Sequence, residues 1–265
     1  WSSDVCSSDL PFIDKSYSEL AKYTNAYRQK MMMKREALAD TGIWTAKKRY
    51  ILNVYNNEGV EYAKPKVKVM GLEMIKSSTP TACREKLSES IDVILNGTED
   101  DMINFIEKFR KEFESLDPAD IAFPRGVNGI EQYTDKKSGM FAKGTPIHVR
   151  GSILYNFHLE KKKLTKKYTK INEGEKIKFI YLKEPNSIQS NVISFQQVIP
   201  QEFGLMEYID YQTQFEKSFL DPLKIILDCI GWKTEKVDSL ESFLDRKSTR
   251  LNSSHTWISY AVFCL

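Results

Sequence analysis

Phe12, Ile13, Tyr17, Leu20, Tyr23 and Tyr27 recur at helical spacing, which predicts an amphipathic helix from Ile13 to about Met33. The period then shortens. Residues 34–39 predict a short strand, and residues 49–55 with residues 60–69 predict a β-hairpin whose tip is Asn57, Glu58 and Gly59. Thr79-Pro80 offers an N-cap followed by a proline, opening a helix through Ala82, Leu87, Ile91 and Ile94 that stops at Asn96-Gly97. Thr98 caps another, whose apolar positions Met102, Ile103, Ile106, Phe109, Phe113 and Leu116 hold the period until Asp117-Pro118. Residues 119–144 are rich in Gly, Pro, Asn and Lys and carry no period, longer than an ordinary connection and therefore either functional or mobile, the functional reading being preferred. Thr145-Pro146 starts a helix bearing His148, Arg150, Leu154 and Tyr155. Residues 176–182 and 192–195 predict strands, and residues 205–230 a helical stretch broken or kinked at Pro222. The pattern is α+β, without an internal repeat, a GxGxxG, a P-loop or an HExxH.

The 265 residues suffice for one large or two small domains, and 41% hydrophobic content with a mean hydropathy of -0.44 places the chain among soluble proteins. No apolar run is long enough to span a bilayer and no basic start precedes an apolar stretch, so membrane and secretory readings fall away and a cytosolic compartment is expected. The four cysteines lack any CxxC spacing, which argues against a disulfide framework or a zinc site. The net charge is only +3, but Lys and Arg cluster, and clusters govern affinity for nucleic acid more than the total does.

Both ends look foreign to a folded chain. One choice of codons for residues 245–254 gives a string whose reverse complement, read two bases in, translates as Trp-Ser-Ser-Asp-Val-Cys-Ser-Ser-Asp, which is residues 1–9. Unrelated protein segments have no reason to be antisense copies of each other. Residues 1–10 and 246–265 are therefore read as translated sequencing adapter and left out of the fold and the chemistry.

Catalysis needs convergent titratable groups, and the remaining sequence has two histidines, His148 and His158, and no Ser or Cys in a nucleophile motif. No catalytic residue and no metal ligand is assigned. Asp100-Asp101 stands at a helix start, where the helix dipole explains it. The positive signal is Lys47-Lys48-Arg49-Tyr50, read as the start of a strand: alternation would put Lys48 and Tyr50 on one face and Lys47 and Arg49 on the other, a spacing suited to phosphate oxygens. Lys76 in a KSSTP run at a helix start, Lys143, and His148 with Arg150 add to it, as does the basic stretch of residues 161–170. A run of lysines on its own is a solvated surface.

The run WTAKKRYILNVYNNEGVEYAKPKVKVMGLEMIKSSTP resembles the stretch of a family B DNA polymerase, of the tailed-phage replicative type, that leaves the palm and enters the thumb. The resemblance extends back through MMMKREALAD and forward through TPIHVRGSILYN, EGEKIKFIYLKE and EYIDYQTQFEKSFLDPL, and is weakest over residues 123–141. It implies that Lys47, Lys48, Arg49 and Tyr50 grip the primer-template duplex near the primer end. Lys76, Lys143, His148 and Arg150 match thumb positions along the primer backbone. Residues 11–71 would then be the end of a palm, a helix plus a β-hairpin. Residues 72–238 would be a mostly helical thumb with a small β insertion. Residues 239–245 would be a tail by which such polymerases dock on a sliding clamp, with Leu240, Phe243 and Leu244 on one apolar face of a helical turn.

The family's catalytic motifs, which hold two Mg ions and the incoming dNTP, would precede this segment, so no cofactor and no activity is expected of it alone. The expected partners are primer-template DNA and a sliding clamp, with no membrane, in the cytoplasm of a phage-infected bacterium. Two other classes compete: a non-enzymatic basic module that binds nucleic acid, and a structural protein that uses only its helices. The ordered passage from KKRY through MGLE to KSSTP speaks against the first, and DNA binding would exclude the second.

Overall fold

The structure, a computed structural model, describes residues 3–135, 139–236 and 261–264. The chain is α+β and divides into two compact units: the described residues up to Leu72 together with Ile226–Trp232, and Glu73–Ile225 together with Lys233–Lys236. No helix among the described residues is long and apolar enough to cross a membrane.

The first unit opens with α1 (Ser3–Tyr23), which ends well short of the expected Met33. Asn25 adopts φ 51°, and the Asn25 and Ala26 amides donate to the carbonyls of Lys22 (3.1 Å) and Ala21 (2.9 Å), a Schellman stop in which asparagine takes the left-handed position. Beyond it Tyr27 and Met32 are exposed. Helical spacing without a surface to bury against does not sustain a helix.

An antiparallel meander follows, β1 (Arg35–Ala46), β2 (Arg49–Asn57) and β3 (Val60–Met70), with β2 central. The first strand is longer than the six residues expected, because bulges around Ala39 and Trp44 keep it in register with β2 over its whole length. Pairing of Asn57 with Val60 leaves Glu58-Gly59 as a two-residue tip, both with positive φ, as a tight hairpin requires. One face buries Ala37, Ala39, Leu52 and Val54 beneath Trp44, Tyr50 and Tyr62. The backbone of Ala261–Cys264, within the adapter-like residues 246–265, pairs antiparallel with β1.

In the second unit α2 (Thr81–Asn96) starts at Thr81, with Pro80 at the cap position and no side-chain cap. The expected cap residue is otherwise engaged: the Thr79 hydroxyl donates to the Glu73 carbonyl at 2.7 Å. The next helix, α3 (Glu99–Phe113), begins as expected, since Thr98 and Asp101 form a reciprocal capping box. Asp117 and Pro118 open a short helix, α4 (Pro118–Ile121), through the Asp117 carboxylate on the Ala119 amide. The stretch 119–144 is more ordered than its composition predicts. It holds β4 (Phe123–Gly126) and α5 (Ile130–Tyr133), and β4 adds to β5 (Lys176–Tyr181) and β6 (Val192–Phe195) in a second antiparallel sheet. Phe123 pairs with Phe179 across that sheet, their rings stacked 5.2 Å apart.

The helix α6 (Ile147–Lys161) lies directly on β6 at Gly151, where a Cβ would stand 2.8 Å from the Ser194 amide nitrogen. The last helical stretch runs through α7 (Tyr211–Phe215), a wide π turn over Glu216–Leu220, and α8 (Asp221–Ile230). The break expected at Pro222 is this π turn: proline has no N–H for the carbonyl four residues back, and the wider turn relieves its ring. Phe109 and Phe113 of α3 meet Phe215 and Phe219 of the same stretch in one aromatic core, with centroids 4.8 to 5.7 Å apart.

Candidate nucleic-acid interface

In the first unit the basic motif is half turn and half strand: β2 starts only at Arg49. Register pairs Trp44 with Tyr50 and Ala46 with Arg49, leaving Lys47 and Lys48 as the two residues that close the β1–β2 hairpin. The expected alternation of Lys48 with Tyr50 and Lys47 with Arg49 is thereby corrected: only Arg49 and Tyr50 alternate. Tyr50 lies on the side of Leu52 and Val54, and Arg49 on the other. Lys48 takes φ 62°, a left-handed value usually left to Gly or Asn. Both lysines are exposed, and an apex presents two ammonium groups to solvent more fully than a strand face would.

Gly71, the glycine of the MGLE run, seats this turn. Its φ is +69°, and a Cβ there would stand 2.3 Å from the Lys48 carbonyl oxygen and 3.1 Å from the Arg49 Cγ. The backbone after β3 thus lies against the basic turn at a distance only glycine permits.

The second unit gathers Lys76, Arg125 and His148. Lys76 is paired with Glu73 at 2.9 Å, and the Arg125 guanidinium donates to the Ser78 carbonyl at 3.2 Å, joining the KSSTP loop to β4. Lys76, Ser78, Thr79, Arg125 and Lys217 line a cavity of about 320 Å³ together with Asp221, itself ion-paired to Lys217 at 2.9 Å. The pKa of His148 is lowered, first by burial and then by the Arg125 charge, so at neutral pH its imidazole offers a hydrogen bond and no charge. Its carbonyl accepts from the Ser194 hydroxyl at 2.8 Å, which fixes the first turn of α6 on β6.

Arg150 is committed within the fold. It donates to the Asn191 side-chain oxygen at 2.6 Å and lies over the Phe141 ring at 5.6 Å. Lys143, just before α6, is exposed and has no ion-pair partner among the described residues. The basic stretch 161–170 is less available than its composition suggests. Lys167 pairs with Glu202 at 2.5 Å, the Tyr168 hydroxyl donates to the same carboxylate at 3.0 Å, and Lys170 pairs with Glu160. These bonds, the Lys167 contact foremost, hold the Glu202 carboxyl down at about 2.

No protein-family model matches the chain. Over 243 residues it is 35% identical to the DNA-directed DNA polymerase of Enterobacteria phage T4, an alignment covering 87% of this chain and 26% of that protein. The chain is similar to part of a phage DNA polymerase. With the DNA-directed DNA polymerase of Escherichia phage RB69 the identity is 33% over 249 residues, 89% of this chain and 27% of that protein. The chain spans about a quarter of the length of the two polymerases it matches. Sequence reasoning passed over two cations that the fold brings to the KSSTP loop, Arg125 and Lys217. Arg125 falls in the unpatterned stretch 119–144, and Lys217 in a helical stretch whose main sequence signal is its apolar period.

Proposed function

We propose that this chain is the duplex-holding part of a phage family B DNA polymerase, in which residues 11–71 end the palm and residues 72–238 form the thumb. The observation that carries the reading is the Lys47-Lys48 apex seated on Gly71, since it joins the KKRY and MGLE runs of the polymerase resemblance in one local structure. In this reading Lys47, Lys48, Arg49 and Tyr50 contact the duplex near the primer end. Lys76, Lys143, His148 and Arg150 follow the primer backbone, with Arg125 beside them. Contacts of this kind go to phosphate and carry little sequence preference. Among the described residues no group of three or more His, Cys, Asp or Glu is placed to hold a metal ion. No chemical step is assigned to these residues.

Replacing both Lys47 and Arg49 with alanine will weaken binding of a primer-template duplex and reduce the slope of log K against log salt by about two, roughly 0.9 per lost phosphate contact. Fluorescence anisotropy across a salt series reads this directly. An unchanged slope removes the KKRY assignment.

The tail residues Leu240, Phe243 and Leu244 lie outside the described residues. Their proposed partner is a sliding clamp, entered by a short apolar helical turn. A synthetic peptide of residues 236–245 will bind a phage sliding clamp, and Phe243→Ala will weaken it about 100-fold, the effect of emptying an aromatic pocket worth about 3 kcal/mol. Equal binding by both peptides would exclude the tail.

A further inference from the structure

The strand β3 is the outer strand of the meander on the side away from β1, and most of its residues are exposed, with Tyr62, Lys68 and Val69 half-buried. It carries lysine at three alternate positions, Lys64, Lys66 and Lys68, on either side of Pro65 and Val67. We propose that Lys64 and Lys66 are a second line of duplex phosphate contacts that continues from the Lys47-Lys48 turn along the outer edge of the sheet. The inference rests on the duplex-holding reading and extends its footprint.

Continuity comes from the register. Met70, at the end of β3, pairs with Tyr50, and Gly71 then lies against the Lys48 carbonyl, so the edge strand runs directly into the basic apex. From Lys64 to Met70 the strand advances about 20 Å, at 3.3 Å per residue. A B-form duplex rises about 3.4 Å per base pair, so this edge is long enough for about six base pairs. Alternate strand positions are about 6.6 Å apart, a spacing at which each ammonium group reaches a different phosphate.

Availability separates the three lysines. Lys68 pairs with Glu36 at 2.5 Å and is held by it. Lys64 and Lys66 have no ion-pair partner among the described residues. The Lys66 ammonium lies 4.3 Å from the centroid of the Tyr62 ring, and Tyr62 packs on the buried face of the sheet, so that cation is positioned by an aromatic and not neutralised by an acid.

Edge lysines and a proline also have an ordinary use, blocking the addition of another strand. Pro65 lacks an N–H and interrupts the pairing: Val54 opposes Lys66 while Asn56 opposes Glu61. Main-chain docking on this edge is thereby disfavoured, and what remains to recognise a partner is the side-chain charge.

The experiment compares salt slopes for one primer-template duplex and the whole chain. Lys64→Ala with Lys66→Ala is expected to reduce the slope by about two, additively with the Lys47 and Arg49 replacements, while Lys64→Arg with Lys66→Arg keeps it. Circular dichroism melting controls for folding. If the alanine pair leaves the slope unchanged while Lys47 and Arg49 still lower it, the β3 line is wrong and the duplex-holding reading stands. If neither pair changes it, both fall. An alanine pair that self-associates in sedimentation and binds DNA with the original slope assigns these lysines to edge protection alone and overturns the proposal.

Discussion

Gly71→Val will unfold the first unit at a temperature about 10 °C or more below that of the unchanged chain. Two costs combine. A left-handed φ of +69° costs an L-residue about 1–2 kcal/mol, and more when it is β-branched. The new Cβ would also stand 2.3 Å from a backbone carbonyl oxygen, that of Lys48, which cannot swing aside as a flexible side-chain end would. Together about 3 kcal/mol is expected, a large share of the stability of a unit this size. Gly71→Asn separates the two causes, because asparagine accepts left-handed backbone and still carries a Cβ. If close approach matters, Gly71→Asn is also destabilised and binds duplex DNA more weakly, since the basic apex has to move. Melting of Gly71→Asn indistinguishable from the parent would leave only the backbone angle as the reason for glycine.

Phe109→Ala is expected to cost the second unit about 3–5 kcal/mol, the usual range for a buried phenylalanine reduced to a methyl group. Phe109 is only 2% exposed, and its ring lies 4.8 Å from Phe219 and 5.7 Å from Phe113 and Phe215, centroid to centroid. Removing it empties the place where α3 meets the α7–α8 stretch, and three rings lose edge-to-face or tilted neighbours at once. At roughly 2–4 °C per kcal/mol for a unit of this length, the melting transition should fall by about 10 °C. Phe109→Leu, which keeps most of the volume, is expected to cost about 1.5 kcal/mol or less. A loss below that for the alanine variant would mean that the cluster relaxes to fill the gap and is not the centre of the core.

The apolar positions of α3 were legible because two independent signals agreed: a strong cap at Thr98 and a regular spacing from Met102 to Phe113. The same reasoning overran at α1, where Asn25 stopped the helix despite continuing apolar spacing. The stretch 119–144 read as unpatterned because its order comes from distant partners. Examples are the pairing of β4 with β5 and the Glu173 carboxylate on the Gly129 and Ile130 amides.

Of the candidate contacts, the motif residues themselves were readable in order: KKRY, MGLE and KSSTP. Their availability was not. Lys48 looked like a strand residue until the register placed it at the turn, and Arg150 and Lys167 looked free until Asn191 and Glu202 were brought to them. Arg125 was hidden for the opposite reason, since only folding carries it from β4 to the Ser78 carbonyl, 47 residues away.

By itself, then, the order of residues determined most element types, the capping of α3, the hairpin turn around Glu58-Gly59 and the likeness to a phage polymerase, because each depends on neighbours within a few positions. The tertiary structure decided which cations remain unpaired, why residue 71 is glycine and where a loop becomes a strand. Ion pairs, backbone approach and sheet register depend on groups far apart in the chain, and no local pattern records them.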